Sequence, residues 1–290
     1  MKLLNQAYLV ILQTRGKTNA DLEESLEEME ELTRSANLKT AGHCFGRVDR
    51  PSSRYFIREG KLEQIRAEIQ RLKVKWLVFN VDLSPAQARN IERYLKAKPL
   101  DRTGLILDIF GKRAKSSEGK LQVELARLQY ILPRLGGLGG VMSRLGGGIG
   151  TRGPGEQELE WDRRKIRRRI ERVKAELKKV HKHRELIRTG RRKKNLISAA
   201  LVGYTNAGKS TLLNALTGAE TYVQDKLFAT LDPKTRMQNI DGRQDILFMD
   251  TVGFLKDLPH GLVEAFHATL EGVAEADVVL HVLDASHRHA

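Results

Sequence analysis

The chain has 290 residues, 40% of them hydrophobic, enough for two or three cored domains and too much for a disordered tail or a small stapled scaffold. Lys and Arg total 51 against 36 Asp and Glu, and this formal charge of +15 points to a polyanionic partner, most simply nucleic acid. The one cysteine, Cys44, excludes an internal disulfide or a cysteine-built zinc site and makes a reducing compartment the default.

Lys2 followed by Leu3–Leu12 has the outline of a signal peptide. Asn5 and Gln6 interrupt the run and no small-x-small cleavage site follows, so a buried first strand over 7–12 is expected. Thr18 or Asn19 can cap a helix running to about Ser35, with Leu22, Leu26, Met29 and Thr33 on one stripe. Residues 21–31 of that helix carry seven acids and no base. Thr40–Val48 reads as a second strand, Gly60–Lys73 as a helix and Trp76–Val81 as a third strand. Ser84-Pro85 starts a helix to about Ala97, with proline at the first helical position. The apolar run Leu105–Ile109 is expected to be another strand. Strands alternating with helices predict an α/β domain over 1–115.

Residues 118–134 return to helix, with Leu121, Leu125, Leu128 and Leu132 on a seam. A second helix over about 156–188 places Ile166, Ile170, Val173, Leu177 and Val180 at heptad spacing. Antiparallel pairing of the two would bury both seams, giving a hairpin over 116–190. Residues 163–194 hold 17 Lys/Arg and three acids, net +14. So long a run favours nucleic acid over a merely solvated face. With aromatics at 6% and none between Trp161 and Tyr204, contact with structured RNA through phosphate and shape fits better than base stacking. Arg163, Arg164, Arg167, Arg168, Lys178 and Lys182 are its candidate RNA contacts. A membrane-surface helix is the competing reading, but the apolar face lacks the Trp and Phe such helices use. Between the helices, residues 136–155 hold ten of the 25 glycines together with Arg144 and Arg152. A helix–helix linker needs only ~2–8 residues, so this segment reads as a tip that orders on a partner, with both arginines as RNA contacts.

Residues 196–203 read as a buried strand, followed at once by Gly203-Tyr204-Thr205-Asn206-Ala207-Gly208-Lys209-Ser210 and a helix from Thr211. This is the phosphate-loop pattern G-x-x-x-x-G-K-S: glycines let backbone N–H groups wrap phosphates, Lys209 reaches the β- and γ-phosphates, and Ser210 ligates Mg²⁺. Asp245–Met249 is a strand ending in Asp250-Thr251-Val252-Gly253. Asp250 would hold the metal through water, and the Gly253 N–H would sense the γ-phosphate. Between them lies Phe228-Ala229-Thr230-Leu231-Asp232, where Thr230 is placed to be a second Mg²⁺ ligand. Lys209 and Thr230 are thus the candidate catalytic residues. Phe254 stands where Ras-type GTPases carry a water-orienting glutamine, so unassisted hydrolysis should be slow. Ala276–Ala285 predicts one more buried strand.

Several segments carry a family likeness: Leu83-Ser84-Pro85-Ala86-Gln87, 101–110 (DRTGLILDIF), 118–126 (EGKLQVELA), 147–156 (GGIGTRGPGE), 203–211 (GYTNAGKST), 228–232 (FATLD) and 250–254 (DTVGF). Together they resemble the HflX family of ribosome-associated GTPases over nearly the whole chain. The resemblance implies an α/β fold: an N-terminal α/β domain, a long antiparallel helical hairpin, then a Ras-like GTPase domain over 196–290. It implies GTP and GDP as ligands, Mg²⁺ as cofactor, and docking on the large ribosomal subunit and its rRNA near the catalytic centre, where the GTP form helps split or rescue stalled ribosomes. Asn206 matches a loop asparagine that in related GTPases helps hold K⁺.

Residues 155–160 read GEQELE where the family usually reads GETQLE, and Arg58 stands where the family often has glycine. No N-K-x-D occurs, so guanine preference is inherited from the resemblance, and the GTPase domain is expected to be incomplete. Two alternatives stay open, a phosphate-loop ATPase acting on RNA and an RNA-binding adaptor with a non-hydrolysing nucleotide domain. A cytoplasmic monomer without membrane contact is expected.

Overall fold

The computed structural model describes residues 5–135, 154–192, 196–218, 227–228, 234–240, 242, 244–254 and 272–286. The chain divides into two compact units, Met1–Ile109 with Tyr130–Arg167 and Phe110–Gln129 with Arg168–Ala290. Both are α/β, and no described helix is long and apolar enough to cross a membrane.

In the first unit, β1 (Gln6–Thr14), β2 (Lys39–Val48), β3 (Trp76–Phe79) and β4 (Lys98–Leu100) form a parallel sheet in the order β2-β1-β3-β4. Helices α1 (Asn19–Ser35), α2 (Glu59–Leu72) and α3 (Pro85–Leu95) connect the strands. β1 is central, and Ala7–Leu12 are all buried, as a continuous apolar run in a two-sided sheet requires. Tyr8, Val10 and Leu12 share one core with Leu62, Ile65 and Ile69 of α2 and Ile91 and Leu95 of α3. The helix starts follow from local chemistry. Thr18 and Asp21 form a reciprocal capping box on α1. Ser84 and Gln87 do the same on α3, with Pro85 in its first turn.

One element differs from expectation. Leu105–Ile109 is not a strand but the middle of α4 (Arg102–Arg113). Asp101 starts that helix: its carboxylate accepts the Gly104 N–H at 2.8 Å and its carbonyl accepts the Leu105 N–H at 3.0 Å. Leu105, Ile106, Leu107 and Ile109 are all buried, so the run shows no helical period. The strand position beside β3 is taken by Lys98–Leu100.

Asp101 also anchors a buried polar knot. It accepts from the Tyr130 hydroxyl at 2.7 Å and from Arg134 at 2.7 Å, while Arg134 donates to the Leu83 carbonyl at 2.9 Å. The Arg134 guanidinium lies 3.5 Å from the centre of the Tyr130 ring. Burial and the Asp101 charge push the Tyr130 phenol above the usual tyrosine range.

In the second unit the sheet order is β6 (Lys234–Ile240), β7 (Gln244–Asp250), β5 (Ile197–Val202) and β8 (Val278–His281). β5 runs parallel to β7 and β8, and β6 is antiparallel to β7. The expected buried strand over Ala276–Ala285 is shorter than read and largely exposed, Val278 at 45% and Val279 at 50%, because β8 is the sheet's edge, and β6 was not anticipated. The two helices expected to form the hairpin are α5 (Ser117–Ile131) and α6 (Pro154–Arg192), each of which continues from one unit into the other. Arg169 of α6 clasps Glu124 of α5 through hydrogen bonds of 2.6 and 2.8 Å. Ile170, Val173 and Leu177 are buried, matching the α6 seam. The α5 seam is displaced: Leu121 and Leu128 are only half-buried, while Gln122, Val123, Leu125 and Ala126 are buried, and Leu132 falls in a following 3₁₀ turn, Leu132–Leu135.

Candidate nucleotide site

β5 leads through residues 203–208 into α7 (Lys209–Thr217), whose Leu213 packs with Ala199, Leu201 and Phe248 in the core. Gly203 has φ +152°, and a Cβ there would lie 2.3 Å from the Val282 carbonyl oxygen. Asn206 at φ +67° and Gly208 at φ +89° turn the loop back so that the helix begins at Lys209. Gly208 caps α7 without a side chain, which leaves the N-terminal amides of the helix for an anion. Tyr204, Asn206, Gly208 and Thr211 are exposed, and Thr205 and Ala207 are half-buried.

The loop is closed from the other side by the segment after β7. Thr205 donates its N–H to the Phe254 carbonyl at 2.9 Å, and the Phe254 N–H donates to the Gly203 carbonyl at 3.0 Å. Gly253 passes so near that a Cβ would lie 2.5 Å from Thr205 Cα. Thr251 is buried and its hydroxyl donates to the Leu201 carbonyl at 2.6 Å, tying β7 to β5 where both strands end. Val252 is buried beside it.

Two polar side chains are buried within this frame. Lys209 is 6% exposed, and its ammonium donates to the Gly203 carbonyl at 3.0 Å and the Tyr204 carbonyl at 2.6 Å. Burial pushes its pKa down from the usual lysine value, and the Asp250 charge opposes that shift. Asp250 is fully buried, and its Oδ2 accepts the Ser210 hydroxyl at 2.6 Å. Its Oδ1 is buried without a hydrogen-bond partner. A carboxylate oxygen left that way is destabilising unless another group completes it. A hydroxyl and an incompletely satisfied carboxylate are hard oxygen donors, the set that suits Mg²⁺ together with water and phosphate oxygens.

Of the intervening segment, Phe228 is buried at φ +58°, with its ring edge-on to Phe110 at 4.6 Å. Ala229, Thr230, Leu231 and Asp232 lie outside the described residues, as do Arg144 and Arg152. The structure thus brings together Gly203–Thr211 and Asp250–Gly253. Along α6, Arg164, Arg167, Arg168, Lys178 and Lys182 are exposed and Arg163 is half-buried. Arg164 pairs with Glu160 at 3.3 Å.

Sequence reasoning missed the backbone pairing of Phe254 with Gly203 and Thr205 in the first half of the loop, the Phe110 contact of Phe228 and the Asp101 knot. Phe254 carried no side-chain signal for its part, because only its main chain acts. Asp101 could have been found from its place three residues before Gly104, as a helix cap.

A strand, a glycine loop and a helix whose first residue is a buried lysine, with a serine hydrogen-bonded to a strand-end aspartate, define a phosphate-loop nucleotide-binding protein. Residues 23–111 match the family described as GTP-binding GTPase N-terminal, 113–191 match GTP-binding GTPase Middle Region, and 198–290 match 50S ribosome-binding GTPase. The chain is 52% identical over 262 residues to GTPase HflX of Caldanaerobacter subterraneus subsp. tengcongensis, covering 90% of this chain and 61% of that protein. It is 49% identical over 286 residues to GTPase HflX of Lacrimispora saccharolytica, covering 99% and 67%, and 46% identical over 263 residues to that of Escherichia coli K12, covering 91% and 62%. Among solved structures, a GTP-binding protein from the archaeon Sulfolobus solfataricus in complex with GDP is 28% identical, with TM-score 0.50 over 99% of this chain and 73% of that one. The chain belongs to the HflX GTPase family. It spans from 61% to 67% of the length of these three relatives.

Proposed function

We propose that this protein binds GTP and hydrolyses it to GDP and phosphate, and couples that cycle to the large ribosomal subunit, where it helps split or rescue stalled ribosomes. The observation that carries the reading is the pair at the loop's base, Ser210 on Asp250 at 2.6 Å with the second Asp250 oxygen unsatisfied. The loop amides and the open start of α7 bind the phosphates. Lys209, held at the loop carbonyls, supplies the positive charge for the β- and γ-phosphates. Its buried position strengthens that charge, since low surrounding dielectric raises the worth of a phosphate contact. Ser210 and Asp250 hold Mg²⁺, Asp250 through water, and Thr230 joins as a second protein ligand. The metal, when bound, neutralises charge on the transferring phosphoryl group. Phe228–Asp232 and Asp250–Gly253 complete the nucleotide site, and Asn206 is the residue to hold K⁺.

Phe254 has no side-chain group to orient water. The isolated protein therefore turns over slowly, and the ribosome completes the site. The family that residues 198–290 match, described as 50S ribosome-binding GTPase, supports a ribosomal partner. The exposed cations of α6, with Arg144 and Arg152, make the rRNA contacts. The working parts are an α/β domain over 1–115, a hairpin over 116–190 and the nucleotide domain over 196–290, acting as a cytoplasmic monomer.

Isothermal titration with GTP, GDP and ATP, with and without Mg²⁺, tests the nucleotide reading. Magnesium-dependent GTP binding with ATP much weaker is expected, and equal affinity for ATP removes guanine as the base. Cosedimentation with large subunits, comparing wild type and Lys209→Ala, tests the coupling. Ribosome association indifferent to nucleotide and to this substitution would leave only an RNA-binding adaptor.

A further inference from the structure

Among the described apolar side chains of α6, Trp161 and Leu186 do not join its core, and Trp161 is the aromatic one. Trp161 is 62% exposed, while Ile170, Val173 and Leu177 of the same helix are buried. At 100° per residue, Trp161 projects roughly 120–180° away from those three positions, so it stands on the far side of the helix from the seam. Arg164 and Lys165 lie three and four residues on, on the Trp161 side, and both are exposed. The Lys165 ammonium lies 5.1 Å from the centre of the indole ring. Arg164 meets Glu160 at 3.3 Å, an exposed pair that a phosphate can replace at little cost.

A large aromatic held in water beside two cations is the arrangement that single-stranded nucleic acids use: the ring stacks on a base and the cations meet the flanking phosphates. We propose that Trp161, with Arg164 and Lys165, is a base-stacking site for an unpaired RNA nucleotide. Charge selects the occupant. A nucleotide satisfies both groups at once, its base covering the indole and its phosphates meeting the cations, and the net +14 of residues 163–194 favours a polyanion over a protein face. The site adds one aromatic contact to the phosphate contacts of α6, and it rests on the proposal that α6 binds RNA. Contact through phosphate and shape alone, expected from the scarcity of aromatics, is thereby amended at one position.

The test uses the full chain, an oligoadenylate of about twelve nucleotides, a blunt RNA duplex of similar length, and heparin as a polyanion without bases. The chain has two tryptophans, Trp76 and Trp161, so fluorescence of wild type against Trp161→Phe isolates the second. Oligoadenylate should quench Trp161, and Trp161→Ala should weaken its binding roughly 5- to 100-fold while Trp161→Phe keeps most of it. Duplex and heparin affinities should not change, and neither should the melting temperature. Oligoadenylate binding unchanged in Trp161→Ala, or an equal loss for heparin, overturns the stacking site. Wild type that binds none of the three polyanions overturns the RNA reading of α6 itself, a different outcome. Loss in Trp161→Ala confined to phosphatidylserine vesicles would assign the patch to a membrane surface and also overturn the proposal.

Discussion

Gly253→Ala should distort the phosphate loop by steric pressure alone, since it adds one methyl group and removes no hydrogen-bonding group. The added Cβ would lie 2.5 Å from Thr205 Cα and 2.7 Å from Thr205 N. Carbon atoms pack at about 3.5–4.0 Å, so one of the two backbones must retreat by about 1 Å. Thr205 is the poorer candidate to move, because its N–H is bonded to Phe254 at 2.9 Å and its neighbour Gly203 is already against Val282. Any retreat stretches the paired bonds between 203–205 and 254. At about 1 kcal/mol net for each bond the variant should lose roughly 2 kcal/mol, which lowers Tm by about 4–8 °C for a domain of moderate size. A Gly253 amide displaced by about 1 Å from the expected γ-phosphate position should weaken triphosphate binding by roughly 100-fold. Calorimetric melts and titration with a fluorescent GTP analogue read both effects. Gly60→Ala is the control: nothing lies within 4 Å of a Cβ there, and Gly60 sits in α2 with an ordinary φ. That variant should be neutral or more stable by up to about 1 kcal/mol with nucleotide binding unchanged. Gly253→Ala with wild-type Tm and affinity within about two-fold of wild type would refute the wedge between Gly253 and Thr205.

Arg134→Ala leaves the buried Asp101 carboxylate without its cation and should cost about 3–5 kcal/mol, read as a shift in urea midpoint. Tyr130→Phe removes one hydrogen bond to the same carboxylate and should cost about 1 kcal/mol in the same assay. Phe228→Ala and Phe110→Ala should each destabilise the second unit, and their double-mutant cycle should show a coupling of about 0.5–1.5 kcal/mol if the edge-on ring contact is real. Hydrogen bonding from Arg169 holds the Glu124 carboxyl below its ordinary value. A carboxylate depressed in the fold stabilises it above its unfolded pKa of about 4.3, and that contribution is lost as pH falls through the lower folded value. Glu124→Gln should therefore melt below wild type at neutral pH, with the gap closing under acid. A gap undiminished at about pH 3 would show that packing, not charge, joins α5 to α6 there.

The elements that could be read from sequence are those whose signals are local. Thr18 with Asp21, and Ser84 with Gln87 and Pro85, are side chains that satisfy backbone donors within one turn, so the sequence window contains the whole interaction. Leu105–Ile109 went wrong for the opposite reason. A helix buried nearly all round presents an unbroken apolar run, and period cannot distinguish it from a buried strand. β6 was missed because Lys234–Ile240 is largely polar, and its pairing comes from β7 rather than from its own residues. The displaced seam of α5 has the same origin, since burial of Gln122 and half-exposure of Leu121 depend on what surrounds the helix.

The nucleotide site divides along the same line. Lys209, Ser210 and Asp250 are fixed by spacing in the chain and by the ends of two parallel strands, β5 and β7, so their convergence could be anticipated. What holds the loop in shape could not. Gly203 and Gly253 face close backbone neighbours from Val282 and Thr205, residues 79 and 48 positions away in the chain. The Phe254 main chain bonds to Gly203 and Thr205 in the first half of the loop. These contacts involve no distinctive side chain, yet they keep the loop from relaxing onto Lys209 and Ser210. Phosphate recognition by backbone amides works only if the amides are already aimed, because otherwise each must be ordered at the moment of binding. The visible motif therefore supplies the chemistry, and the invisible glycine contacts supply the preorganisation that lets the chemistry act.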